Sequence, residues 1–297
     1  MKLVTFSHND LVSIGAISDD GVSIIPFNSQ DYGHSAGMIQ FIADGVESMK
    51  QAKKLILSEK NKLQVAECSL LAPIPLPQRN IFCVGKNYHE HAKEFAQSGF
   101  DSSNVNGTDI PSHPVVFTKA PSSVIAHGQP IPGYLDPCNS VDYEGELAVV
   151  IGSGGRSIRK EDALSHIFGY TIVNDVTARE LQAKHKQWFL GKSIDGFCPM
   201  GPALVTADEI LDPTKLQLQT FVNDELRQNA SVADLIFDIP TLIATISAGI
   251  TLKAGDIIAT GTPAGVGIGF KPPRYLQTGD HVSIRISGIG TLENTVS

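Results

Sequence analysis

The chain has 297 residues, 42% of them hydrophobic and 18% charged, the balance of an ordinary globular protein with a substantial core. Its formal net charge of −8 argues against general binding to nucleic acid or to an anionic membrane surface. No segment resembles a membrane span or a signal-peptide core, and Cys68, Cys83, Cys138 and Cys198 are too scattered for a zinc ribbon, so a cytoplasmic enzyme with free thiols is the expectation.

Residues 1–72 read as a small leading αβ domain. Short apolar pieces at Leu3–Phe6, Val12–Ile17 and Val22–Ile25, separated by polar turns, predict a β-meander. Helical spacing follows at Met38–Ala43 and Val46–Leu57. Residues 73–78 form a stiff linker, because Pro73, Pro75 and Pro77 fix φ and favour extended chain. A larger domain, 79–297, then carries the chemistry. Its predicted strands are Ile81–Val84, Val115–Thr118, Leu147–Ile151, Tyr170–Val173, Ala203–Val205, Asp256–Ala259 and Val282–Ile286. Its predicted helices are Tyr88–Ala96, Lys160–His166 and Pro240–Ala248. Strand and helix do not alternate regularly, which argues against a doubly wound parallel sheet. The expected fold class is α+β and β-rich, a mixed β-sandwich or roll with peripheral helices. Gln97–Pro114 is rich in Ser, Asn, Gly and Asp and lacks periodicity, so it is either an active-site lid or a surface insertion.

Three stretches carry candidate chemistry. In Gly85–Glu94, an Asn87 cap would place His91 and Glu94 three residues apart on one helical face. A carboxylate beside an imidazole fixes its tautomer and raises its basicity, as a general base requires. The same residues would also suit an ordinary mixed-charge surface helix. A cupin-like metal site is rejected, because His89 and His91 on a helix point about 200° apart.

Val141–Ile151 reads as a strand, so Glu144 and Glu146 share a face and repel each other unless a cation lies between them. Asp175, ending the next apolar run, closes a three-carboxylate face. Such hard oxygen ligands suit Mg²⁺ or Mn²⁺, with Ca²⁺ also compatible. The alternative is a solvated acidic edge strand, and the apolar run after Glu146 argues against it. Downstream, Lys192 beside Gly191 could polarise a substrate carbonyl or sit in a surface turn. Gly261–Gly267 lacks the lysine of a P-loop and instead offers backbone N–H groups and the Thr262 hydroxyl to an anionic group.

Taken together, these segments resemble the fumarylacetoacetate hydrolase family. The motifs are Gly85-x-Asn87-Tyr88-x-x-His91-x-x-Glu94, then Asp142-Tyr143-Glu144-x-Glu146, then Asn174-Asp175-Val176-Thr177-Ala178-Arg179-x-x-Gln182. Gly191-Lys192-Ser193 with Asp195-Gly196-Phe197, and Gly261-Thr262-Pro263-x-Gly265-Val266-Gly267, complete the order. The resemblance implies a β-rich roll, commonly a homodimer, with a divalent metal on Glu144, Glu146 and Asp175. It implies His91 and Glu94 as the water-activating dyad, Lys192 and Gln182 as donors to the oxyanion, and Arg179 and Thr262 as substrate-binding residues. The activity implied is metal-dependent hydrolysis of a carbon–carbon bond in a small 1,3-diketo acid of the acylpyruvate or fumarylacetoacetate type. Isomerisation of a 2-hydroxy-dienedioate and decarboxylation of oxaloacetate are alternatives on the same site. A catalytically silent small-molecule binding protein is the remaining class. The chain departs from the family pattern at Gln97–Pro114, which bears on substrate choice.

Overall fold

Two sheets organise the molecule, a mixed one of twelve strands and an antiparallel one of four. They are seen in a computed structural model that describes residues 1–18, 20–27, 37–58, 61–100 and 110–297. Across the large sheet, the leading strands Ser23–Phe27, Leu11–Ile17 and Lys2–His8 come first, then Cys198–Thr206, Ile167–Asn174 and Gly145–Ile151. Ile257–Ala259 and Ile81–Gly85 follow, and Val115–Lys119 lies at the far edge. The Gly145–Ile151 strand is buried at every residue, which is why its sequence is an unbroken apolar run rather than an alternating one.

The leading strands belong to this same sheet. Lys2 pairs with Val205 and Leu3 with Leu204, antiparallel. Leu3, Ile14, Phe27, Met38 and Phe41 from the first 72 residues share one core with Ala148, Val150, Val173 and Ile257. The helices Met38–Ala43 and Val46–Ser58 accompany these strands. No described helix is long and apolar enough to cross a membrane.

The small sheet runs Glu225–Ser231, Gln217–Val222, His281–Ile286 and Gly290–Thr295. Its inner residues Leu218, Val282, Ile284 and Leu292 pack with Leu147, Val149 and Tyr170 of the large sheet, which makes the predicted β-sandwich. Three of its strands do not stand out in the sequence. Gln217–Val222 sends Leu218, Thr220 and Val222 inward, and the intervening Gln and Thr dilute the apolar signal. Asn223 and Asp224, with φ of 50° and 64°, make the hairpin turn to Glu225–Ser231.

Among the helices, Lys160–His166 is a 3₁₀ segment rather than an α-helix. The other two occupy His89–Gln97 and Ile239–Ser247. Asn87 does not cap the first of them, where Tyr88 takes the N-cap position in extended conformation. The Asn87 amide instead accepts from Phe237 N at 2.8 Å and donates to Thr260 O at 2.7 Å, joining three chain segments. Of the expected loop Gln97–Pro114, residues 101–109 lie outside the described residues.

Candidate active site

The sequence predicts one strand from Val141 to Ile151, but the chain breaks it in two. Val141–Asp142 pairs with Thr177–Ala178, and the long strand begins only at Gly145. Glu144 therefore sits in the connection, and strand alternation is not what aims it beside Glu146. Two cross-links do so: Glu144 N donates to Asn174 Oδ1 at 3.0 Å, and Asp175 N donates to Glu144 O at 2.8 Å. One carboxylate oxygen each from Glu144, Glu146 and Asp175 then lies within 4.8 Å of the others, and all three residues are buried.

Buried cations surround this face. Lys192 Nζ reaches Glu144 Oε2 at 2.8 Å and Asp175 Oδ2 at 2.7 Å. Arg179 holds Glu144 Oε1 at 2.7 Å and Asp142 Oδ2 at 2.9 Å. Lys119 holds Asp175 Oδ1 at 2.7 Å and also donates to the Lys192 carbonyl, fixing one lysine with another. Burial opposes ionisation of Glu144, but Lys192 and Arg179 together outweigh it and bring its pKa down to about 2. Glu146 goes the other way: burial, then the charges of Asp175 and Glu144, push it well above the ordinary carboxylate range. Its Oε2 accepts from Gly261 N at 2.7 Å.

Four buried carboxylates, with Asp142 included, are held by three buried cations, Lys119, Arg179 and Lys192, and a fourth buried cation, Lys86, lines the same cavity. Three clustered carboxylate oxygens without sulfur or imidazole fit a hard divalent ion of the Mg²⁺ or Mn²⁺ kind.

His91 and Glu94 come from the helix beside this face. His91 Nδ1 lies 3.2 Å from Glu94 Oε2, and Glu94 also accepts from Gly265 N at 3.0 Å. His91 lines the same cavity as Glu144, Glu146, Arg179, Gln182, Lys192 and Thr262. Glu94 keeps its seat because residue 269 is glycine: a Cβ there would lie 1.9 Å from Glu94 Oε1. Gly269→Ala is therefore expected to drive Glu94 off Gly265 and His91. It should lower turnover by on the order of 10²-fold, the scale of general acid–base catalysis, while divalent-ion affinity stays at the wild-type value. Calorimetric titration with Mn²⁺ beside steady-state kinetics would check this, and equal losses in both would refute it.

Thr262 and Gln182 both reach the cavity, and each is held by neighbours. The Thr262 hydroxyl donates to Gly145 O at 3.0 Å, and Gln182 Oε1 accepts from Arg179 at 3.2 Å. Three residues that shape the site escaped the sequence reading. Asp142 accepts from Gly267 N at 2.6 Å and Ile268 N at 3.0 Å, so one carboxylate ties the glycine-rich loop to Arg179. Its nearness to Glu144 in a quoted motif was the available signal. Lys119, a lone cation ending the strand Val115–Lys119, also carried a signal, since charge at the end of an apolar strand demands a partner. Gln228 gave none. It sits on the small sheet, accepts from Gly145 N at 3.1 Å and donates to Thr262 Oγ1 and Pro263 O, both at 2.7 Å.

Fold and site together define a class: a β-rich enzyme domain built around a buried face of three carboxylates. Residues 80–297 match the model of the fumarylacetoacetate hydrolase C-terminal domain, and the chain belongs to that family. It is 50% identical over 267 residues to an oxaloacetate tautomerase of Bacillus subtilis, covering 87% of this chain and 86% of that relative. The solved structure of a fumarylacetoacetate hydrolase from Exiguobacterium antarcticum is 43% identical with a TM-score of 0.85, over 100% of this chain and 99% of its own. Maleylpyruvate hydrolase of Sphingobium sp. SYK-6, solved with manganese(II) and pyruvate, is 32% identical with a TM-score of 0.79, over 100% and 98% of the two chains.

Proposed function

We propose that the chain is a divalent-metal-dependent enzyme that interconverts the enol and keto forms of oxaloacetate or a near relative among the 2-oxo diacids. One observation carries the reading: His91, with Glu94 against its ring, opens into the cavity lined by Glu144, Glu146 and Lys192. The 50% identity to a tautomerase supports it.

Glu144, Glu146 and Asp175 would hold the ion, which when bound supplies Lewis-acid polarisation of the keto group. The protein's own groups do the rest. Lys192 has three N–H donors, and two are engaged by Glu144 and Asp175, so the third is available to the substrate oxygen as charge grows there. His91 takes the proton from the carbon beside the keto group, and Glu94 holds the ring in the tautomer that can accept it. The enolate oxygen takes a proton from solvent to complete the enol, and in the reverse direction it gives that proton up while His91 returns its own to the carbon. Arg179 and Gln182 line the cavity, Arg179 fixing Glu144 while adding positive potential for an anionic substrate.

Carbon–carbon hydrolysis is the second reading. The same dyad suits activation of water, and the manganese-bound maleylpyruvate hydrolase has the same fold. Product analysis separates the two. Oxaloacetate prepared as the enol, with Mn²⁺ or with chelator, is expected to lose its enol absorbance in a metal-dependent way with no pyruvate released. Pyruvate from oxaloacetate would indicate decarboxylation, and pyruvate plus a carboxylic acid from an acylpyruvate would indicate hydrolysis. Silence on all of them would end the enzymatic reading.

A further inference from the structure

The lining of the site cavity falls into two sets. One is charged or polar and, apart from the buried Lys86, whose Nζ lies 5.5 Å from the Phe95 ring, has been described above; the other is Val84, Gly85, Phe95, Phe117 and Trp188. Trp188 packs against the backbone at Gly85, where a Cβ would come within 2.5 Å of its ring. Phe117 and Phe95 meet it edge-to-face at centroid distances of 5.1 Å and 5.9 Å, so it is wedged among three elements and only 9% exposed. Phe117 in turn lies 5.0 Å from Lys192 Nζ. Trp188 therefore stands one aromatic ring beyond the lysine that faces the carboxylates. It presents a rigid surface that cannot solvate a carboxylate.

We propose that Trp188 is the specificity-determining residue of this site. It closes the cavity behind a short 2-oxo diacid and excludes longer ones, including seven-carbon dienedioates and acylpyruvates with extended acyl groups. The proposal rests on the reading of the site as one for 2-oxo acids, and it deepens that reading by setting the substrate length. The two neighbouring rings block Trp188 from swinging aside, so extra length is met by overpacking rather than by accommodation.

The test is a binding series. The Mn²⁺-loaded full chain is titrated calorimetrically with 2-oxoglutarate, 2-oxoadipate and 2-oxopimelate, which lengthen by one methylene at each step. Wild type is expected to lose affinity by at least about tenfold per step, within the roughly 10–200-fold that one methylene commands in a fitted pocket. Trp188→Ala should flatten the series, and Trp188→Leu serves as a second, less disruptive variant, both checked for cooperative melting. A flat series in wild type, or an equally steep one in folded variants, overturns the proposal. Enol loss from oxaloacetate is followed on the same preparations. A steep series without enol turnover would leave the length filter standing and retire the tautomerase reading, and turnover with a flat series would do the reverse.

Discussion

Replacing Lys192 by alanine is expected to cut turnover by on the order of 10²–10³-fold, the usual consequence of removing a donor aimed at developing negative charge. Two further effects follow from where the ammonium lies. It is 1% exposed and touches both Glu144 and Asp175, so its loss leaves two buried carboxylates with less compensation. Breaking a buried pair typically costs about 3–5 kcal/mol. Here Arg179 still holds the other oxygen of Glu144 and Lys119 that of Asp175, which puts the cost at the lower end. The metal-free variant should therefore melt earlier than wild type, and Mn²⁺ should restore most of the difference. Melting curves with chelator and with Mn²⁺, beside kinetics on the metal-loaded form, check both parts. Near-wild-type turnover in a folded variant would remove Lys192 from the chemistry.

Glu146→Gln should act in opposite directions on stability and activity. Burial, with the charges of Asp175 and Glu144 beside it, raises the Glu146 pKa well above the ordinary carboxylate range. A group whose folded pKa is raised contributes stability that is complete below the unfolded pKa and is lost as pH rises through the folded value. Metal-free wild type therefore loses stability from this group as the medium moves upward from about pH 4.5. Gln keeps an acceptor for Gly261 N without the charge, so the metal-free variant should melt higher than wild type at neutral pH. The ion site, though, loses a ligand, and metal-dependent turnover should fall by roughly 10³-fold or more, the equivalent of several kcal/mol of Lewis-acid stabilisation. Mn²⁺ binding to wild type should release a proton and strengthen with pH, whereas the variant should show no release from this position. Titration in two buffers of different ionisation enthalpy measures it. A variant that melts lower in chelator would show that Glu146 is better compensated than its surroundings indicate.

The carboxylate face was legible in the sequence for a partly wrong reason. Glu146 and the buried run behind it do lie on a strand, but Glu144 reaches the same point through Asn174 and the Asp175 backbone, contacts between residues 30 apart in sequence. The His91–Glu94 pair was legible because it depends only on helical spacing, which the helix His89–Gln97 keeps. The Asn87 cap failed because its amide had a stronger demand elsewhere: backbone groups of Thr260 and Phe237 would otherwise be buried unpaired. Lys160–His166 was read at its observed bounds but winds as a 3₁₀ segment, and three strands of the small sheet were missed where polar residues fill half of each pattern. Gln228 follows from that omission, since a residue on an unseen strand cannot be placed against Gly145.

The pairing of Lys2–His8 with Cys198–Thr206 also bears on whether the larger part of the chain can live apart from the smaller. A protein truncated to begin at Arg79 would leave Cys198–Thr206, which also pairs with Ile167–Asn174, with an uncovered flank at Leu204 and Val205. An exposed row of backbone donors and acceptors is a template for other chains to add to, and the apolar residues Ala148, Val150 and Ile257 would lose the companions that Leu3, Phe27 and Phe41 provide. The proline-rich stretch at 73–78 thus marks a bend in the path of the chain rather than a seam along which it can be divided. Fusion partners and affinity tags would be better attached at surfaces remote from this shared sheet than inserted there.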